Sequence, residues 1–202
     1  MLAHVGSLSP ARQRLWLLIG CALLFGVWFW RTPLMEVDET RYTTASRTML
    51  ETGNYLIPEY NGQPRYQKPI LFYWLQSASL RLFGTSELAA RLPAALAGVV
   101  LVLLVHTFLL RWVLPCAPDD RARRDARGAA LLGSVALATV PLFSIWARGA
   151  VTDVVLTLFI TLSLFGLLQA DLARRRGDAH APRWYLLTAV AAALAFLTKG
   201  PV

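Results

Sequence analysis

Cysteine is scarce in this chain. Of 202 residues only Cys21 and Cys116 are cysteine, one inside an apolar run and the other just past a second one. That placement excludes a disulfide framework, and neither thiol stands in a catalytic setting. Charge is scarce as well, at 16% against 56% hydrophobic residues, with a mean hydropathy of +0.48. An ordinary soluble domain is thereby excluded, and an integral membrane protein is indicated. Acidic residues number 12 against 20 Lys and Arg, giving a net charge of +8 and a pI of about 10.2. A nucleic-acid partner would explain that balance, but the distribution argues against one. Ten of the 20 basic residues fall in three short segments: Arg12 and Arg14; Arg121, Arg123, Arg124 and Arg127; Arg174, Arg175, Arg176 and Arg183. These are the flanks that the positive-inside rule places in the cytoplasm. No internal repeat or low-complexity tract is visible.

What the chain has instead is hydrophobic runs around one long polar interval. The first run, Leu15 to Trp30, follows Arg12 and Arg14 and ends in Trp28-Phe29-Trp30. No small-residue cleavage site follows it, so it reads as a retained helix with an aromatic belt and not as a signal peptide. The expected fold is all-α and membrane-embedded. It has about five spans, at roughly 15–31, 94–114, 128–147, 151–168 and 184–202, and a periplasmic loop over 32–87.

Within the loop, Asp38 is placed to cap a helix running to about Thr52, with Tyr42, Ala45 and Met49 on one stripe and Gly53 as the stop. Pro58, Asn61-Gly62 and Pro64 spell extended chain and a turn. A second helix is expected after Lys68, with Pro69 at its first position and Gly84 near its end. Its apolar residues Leu71, Trp74, Leu75, Ala78 and Leu82 fall at helical spacing, but it is too short to span and reads as interfacial.

In the spans, His106 stands alone and is best read as hydrogen-bonded to a neighbouring helix. The tight turn Arg148-Gly149 joins the third and fourth spans, with Asp153 just inside the fourth. An ionised carboxylate at a helix centre costs about 2.5 to 3.5 kcal/mol on insertion scales, and less near the end, so Asp153 calls for a partner or a function. Arg148 is the nearest candidate, in a structural pair or in a substrate site.

The chemistry collects in the polar loop. Asp38 and Glu39 are adjacent carboxylates suited to general-base work or to holding a cation. Arg41, Arg65 and Lys68 can neutralise phosphate, while Tyr42 and Tyr66 belong to a set of rings that stack on sugars or anchor at headgroups. A purely structural reading covers the same residues: Asp38 as a helix cap, the tyrosines as an interfacial belt, the basic groups on lipid phosphates.

The ordered set Asp38-Glu-Thr-Arg-Tyr42, Gly53-Asn-Tyr55, Tyr60-Asn-Gly62, Tyr66-Gln-Lys-Pro69, Tyr73-Trp74, Phe83-Gly84, Ala90-Arg-Leu-Pro93 and Leu197-Thr-Lys-Gly-Pro201 resembles the amino-terminal part of bacterial lipid-linked glycosyltransferases. The group is the ArnT-like and protein-mannosyltransferase-like branch of the GT-C superfamily, glycosyltransferase family 39 in type. The resemblance implies an inverting transfer from a polyprenyl-phosphate sugar to a cell-envelope acceptor, lipid A in the ArnT-like case. Asp38 would be the active-site carboxylate, with Glu39 beside it and Asp153 as a second acid. Lys68 would bind the donor phosphate, and Arg41, Tyr42 and Tyr66 would line the cavity; Arg65 and Arg148 join them as substrate-binding candidates on their own chemistry. In ArnT-like proteins the residue before this Lys is typically a Glu that contributes to a metal site. Here it is Gln67, a weaker ligand, so no metal or other cofactor is carried over. Family members are longer and have a carboxyl-terminal soluble domain, which places this chain as an amino-terminal portion. The alternatives are a protein O-mannosyltransferase-like enzyme and a non-catalytic carrier of polyprenyl-phosphate sugars. A carrier would place polar residues through the midplane, whereas here they gather on one face.

Overall fold

A computed structural model describes residues 6–27, 33–34 and 37–200. The first helix, α1 (Pro10–Gly26), starts at Ser9, whose hydroxyl accepts from the Arg12 amide. The Trp28-Phe29-Trp30 belt, Arg31 and Glu36 lie outside the described residues, as do the last two positions.

The polar interval folds as α2 (Val37–Thr52), a hairpin of β1 (Glu59–Tyr60) and β2 (Gln63–Pro64), and α3 (Leu71–Phe83). Asp38 is not the cap of α2, because the helix already begins at Val37 and puts Asp38 in its first turn. The hairpin follows from Asn61-Gly62: both residues have positive φ, 53° and 71°, as a two-residue turn of this hand requires, and Glu59 pairs with Pro64. Helix α3 begins two residues after Pro69, not at it.

Helices α2 and α3 meet through a polar layer. The Ser46 hydroxyl donates to Gln76 Oε1 at 2.8 Å, and Gln76 Nε2 donates to Thr43 Oγ1 and to the Ala90 carbonyl. Ser77 and Ser79 donate to the carbonyls of Ser46 and Ala89. The apolar stripe of α3 therefore faces outward: Leu75 and Leu82 are exposed, and so is Trp74, whose indole N–H reaches the Tyr55 carbonyl. The stripe of α2, by contrast, is buried, with Tyr42, Ala45 and Met49 in the core.

The hydrophobic half consists of α4 (Glu87–Val113), α5 (Asp120–Thr139), α6 (Pro141–Ala147), α7 (Asp153–Arg175) and α8 (Ala181–Lys199). Helices α4, α7 and α8 are each long and apolar enough to cross a membrane, α4 together with the short turn that follows it. A fourth such crossing arises if α5 and α6 are taken as one. Two of these helices start before the expected spans because a cap went unread. Helix α4 starts seven residues before position 94 because Ser86 Oγ caps it at the Ala89 amide. Helix α5 takes in the basic segment because Asp119 accepts from the Ala122 amide at 2.7 Å. The expected span over 128–147 is broken, because Pro141 cannot continue the hydrogen-bond ladder of α5 and the chain bends by 66° there. Helices α7 and α8 pack closely at Gly166, where an added Cβ would stand 2.8 Å from Thr188 Oγ1. His106 is fully buried, with Nε2 3.1 Å from Gln13 Oε1 on α1, in line with its structural reading. Cys21 and Cys116 are both free.

Candidate active site

The first two turns of α2 send neighbouring side chains in different directions, since each residue advances about 100° around a helix. Asp38 points outward: its side chain is half exposed and 4.0 Å from Arg41 one turn on. Glu39 points inward and is 5% exposed. Arg91 of α4 grips it with both arms, Nε to Oε1 at 3.0 Å and Nη2 to Oε2 at 3.1 Å, and the Ala150 amide donates to Oε1 at 2.7 Å. Arg91 also donates to the Pro33 carbonyl. Glu39 thus ties together α2, α4 and the turn before α7. The two carboxylates do not form one acid pair, because Asp38 faces outward while Glu39 is buried on Arg91.

Tyr42 is buried against Phe72 and Tyr73, with ring centroids at 5.2 and 5.3 Å. Thr152, the residue before Asp153, stands beside the Tyr42 hydroxyl. Burial pushes its ionisation up to about 12, and the Asp38 charge adds to that shift, so the phenol is neutral at physiological pH. Tyr73 is shifted upward for the same first reason, with Asp38 again contributing. Arg65, 8% exposed, donates from Nε to the Tyr73 hydroxyl at 2.9 Å and lies over the Tyr42 ring at 5.5 Å. Asp38, Arg41, Tyr42, Arg65 and Tyr73 therefore form one cluster, with Asp38 and Arg41 at its accessible edge.

Asp153 is the first residue of α7, and its partner is Lys199, with Nζ 2.7 Å from Oδ1. The expected pair with Arg148 does not form, because that guanidinium is turned toward α1 and donates to the Val27 carbonyl at 2.8 Å. Gly200, next to Lys199, packs on Pro69, so the end of α8 reaches the segment that carries Lys68. Lys68 is half-buried, with no hydrogen bond or ion pair among the described residues; Tyr66 is 75% exposed. Arg91, Lys199, Thr152 and Tyr73 escaped the sequence reading of the site. Tyr73, Arg91 and Lys199 stand in the motif set that carries the family resemblance, whereas Thr152 carried no signal.

Gln67 is exposed, and among the described residues no three His, Cys, Asp or Glu side chains are grouped. A hollow of about 360 Å³ lined by Leu50, Tyr55, Trp74 and Arg81 sits at the other end of α2 from Asp38, away from the carboxylates. What the cluster offers chemically is an accessible carboxylate beside the Arg41 guanidinium, backed by neutral phenols.

Comparison with known proteins gives a consistent set of relatives. The family model described as dolichyl-phosphate-mannose-protein mannosyltransferase matches residues 32–202. An uncharacterised protein of Aquifex aeolicus is 35% identical over 182 residues, covering 89% of this chain and 36% of its own. The undecaprenyl phosphate-alpha-4-amino-4-deoxy-L-arabinose arabinosyl transferase of Aeromonas salmonicida is 32% identical over 170 residues, 83% of this chain and 28% of the relative. The crystal structure of ArnT from Cupriavidus metallidurans bound to undecaprenyl phosphate superposes with a TM-score of 0.75 at 26% identity, covering 92% of this chain and 32% of that one. The chain spans about a third of the length of the relatives it matches.

Proposed function

The chain belongs to the dolichyl-phosphate-mannose-protein mannosyltransferase family, and on that premise we propose that it serves an inverting transfer of a sugar from a polyprenyl-phosphate donor to a lipid A-like acceptor. The observation that carries the proposal is the split at the start of α2: Glu39 is locked into the scaffold while Asp38, one residue earlier, is left accessible beside Arg41. In such a transfer the acceptor attacks the anomeric carbon as the bond to phosphate breaks, and the electron pair leaves with the phosphate. Asp38 orients the acceptor or takes its proton. Lys68 and Arg41 stabilise the charge gathering on the leaving phosphate. Asp153, held by Lys199, stands at the start of α7 next to the residue that Tyr42 contacts and serves as a second acid of the same site. Tyr66 and Arg65 flank the phosphate end. Arg148 belongs to the scaffold in this reading, because its guanidinium is engaged by α1.

The proposed location is the bacterial inner membrane, with the polar loop in the periplasm. The basic residues at the starts of α5 and α8 and at the end of α7 support that orientation, since they gather at the opposite end of the bundle from the polar loop.

The test compares Asp38→Asn with Lys68→Ala, measuring turnover and donor affinity for both in the full-length enzyme. Asp38→Asn keeps the shape of the side chain, and turnover is expected to fall by about 10² to 10⁴-fold with donor binding retained. Lys68→Ala is expected to act chiefly on donor affinity. Wild-type turnover in Asp38→Asn would remove the central residue of the proposal.

A further inference from the structure

The hollow of about 360 Å³ beside α2 and α3 lies away from the carboxylates and is built as a site of its own. Its walls are Leu50, Tyr55, Trp74, Ser77, Ala78 and Arg81, and its size falls within the roughly 300 to 1,000 Å³ of small-ligand sites. The polar groups of the walls are held from behind. The Trp74 indole commits its N–H to the Tyr55 carbonyl at 2.7 Å, and Ser77 donates to the Ser46 carbonyl. Asn54 Oδ1 accepts from the Leu56 and Ile57 amides at 3.1 and 3.3 Å, which fixes the turn that carries Tyr55. Arg81 is the one charged group of the lining. It is exposed and has no hydrogen bond or ion pair among the described residues. Its place in the last turn of α3 suits a cation, but that alone gives no reason for the rings beside it.

The surroundings are apolar and open. Leu56, next to Tyr55 in the chain, is 80% exposed, and Leu82, next to Arg81, is 76% exposed. Large apolar side chains left open around a hollow mark a surface that meets something other than water. Helix α4, apolar enough to cross a membrane, begins at Glu87, six residues past Arg81 and just beyond the turn at Gly84. The hollow therefore stands at the level where that crossing starts, the level at which Trp and Tyr rings meet headgroups. A second hollow, of about 350 Å³ and apolar, lies between α3, α4 and α7, with Leu75, Leu96 and Leu158 in its walls, and Ala78 lines both. At about 100° per residue, Arg81, Trp74, Ala78, Leu82 and Leu75 follow one another over about 120° of α3. All five are exposed, so one open face of the helix runs from the cation, past a single methyl group, to the apolar hollow.

We propose that this face holds a glycerophospholipid, with its phosphate on the Arg81 guanidinium beside Tyr55 and Trp74 and an acyl chain passing over Ala78 into the second hollow. Anionic headgroups are preferred. An ammonium headgroup would bring a second cation next to Arg81, and the lining has no carboxylate to receive it. The exposed leucines select a lipid over a free phosphate ester, since only a lipid covers them. The lipid pins α3 to the membrane surface at the other end of α2 from Asp38, and the proposal does not rest on the transfer described above.

Native mass spectrometry of the full-length protein in mild detergent tests this, with dioleoylphosphatidylglycerol and dioleoylphosphatidylethanolamine titrated at matched concentrations. Phosphatidylglycerol should be retained in preference. R81Q should hold one molecule fewer, with the affinity of that one weakened roughly tenfold, the size expected for losing a charge-assisted hydrogen bond. A78W, which blocks the passage between the hollows and leaves the charge in place, should also hold one fewer. Both variants should melt as wild type does in lipid-free detergent, because both positions are exposed; A78W decides the matter if R81Q does not fold. Equal retention of the two lipids, or an unchanged count of phosphatidylglycerol in either folded variant, overturns the proposal. Displacement of the lipid by glycerol 3-phosphate at the same concentration overturns it as well, since a free phosphate ester would then be the ligand. So does a polyprenyl phosphate retained in preference to phosphatidylglycerol in wild type and lost in R81Q, which would give the hollow to the donor.

Discussion

Two carboxylates one residue apart on α2 live in different surroundings. Around Glu39 the protein is closed: both members of its pair with Arg91 are 6% exposed at the side chain, and a backbone amide completes the carboxylate. Around Asp38 it is open: the pair with Arg41 stretches to 4.0 Å, with side-chain exposures of 52% and 42%. A bidentate, desolvated pair is costly to break from one side, whereas a long exposed pair contributes little. The comparison shows how one helical step separates the group that fixes the loop from a group left accessible.

Removing the cation on the closed side should have the largest effect on stability. Arg91→Met strands a buried carboxylate and is expected to cost about 3 to 5 kcal/mol, read as a loss of unfolding free energy in detergent. The double variant Glu39→Leu with Arg91→Met should recover part of that loss. Recovery stays incomplete, because the Ala150 amide keeps no acceptor. An Arg91→Met protein as stable as wild type would erase the contrast.

The next effect is on alkaline stability. Tyr42 ionises near 10 in an unfolded chain but only at about 12 in the folded one. The contribution from keeping it neutral is therefore complete below pH 10 and is lost progressively as pH rises through about 12. Tyrosinate absorbance and melting temperature followed through that window check the sign, and Tyr42→Phe should remove the highest step of the absorbance titration. A titration in which every tyrosine is half ionised near pH 10 would mean that the cluster is wetter than the packing of Tyr42 indicates.

The smallest effect sits on the open side. Arg41→Gln should change stability by no more than about 0.5 kcal/mol, whatever it does to turnover, because the pair it breaks is exposed and screened. Melting in detergent at low and at high salt checks this, and a shift comparable to that of Arg91→Met would place Asp38 in the scaffold.

These contrasts also mark what the amino-acid order discloses. The hairpin was legible because Asn61-Gly62 writes its own turn, and the membrane class was legible because long apolar runs have few other uses. Asp38 was legible as a candidate from the motif that contains it, but its role as a cap was a misreading by one residue of where the helix begins. The roles of Glu39 and Asp153 could not be read locally, since Arg91 is 52 residues from Glu39, the Ala150 amide 111 away, and Lys199 lies 46 beyond Asp153. Arg148 looked like the partner of Asp153 because it is near in sequence; the bend ahead of it turns it toward α1 instead. That bend was signalled by Pro141, which an unbroken hydrophobic count passes over.

The bend has an angular consequence. Helix α6 is seven residues long, about two turns, and it leads directly into the turn whose Ala150 amide meets Glu39. One residue inserted into it would rotate everything downstream by about 100° and swing that amide away from the carboxylate. Four inserted residues would restore the phase while advancing the turn by about 6 Å along the axis. The stub of helix after Pro141 acts as a vernier, setting both the depth and the heading at which the chain enters α7.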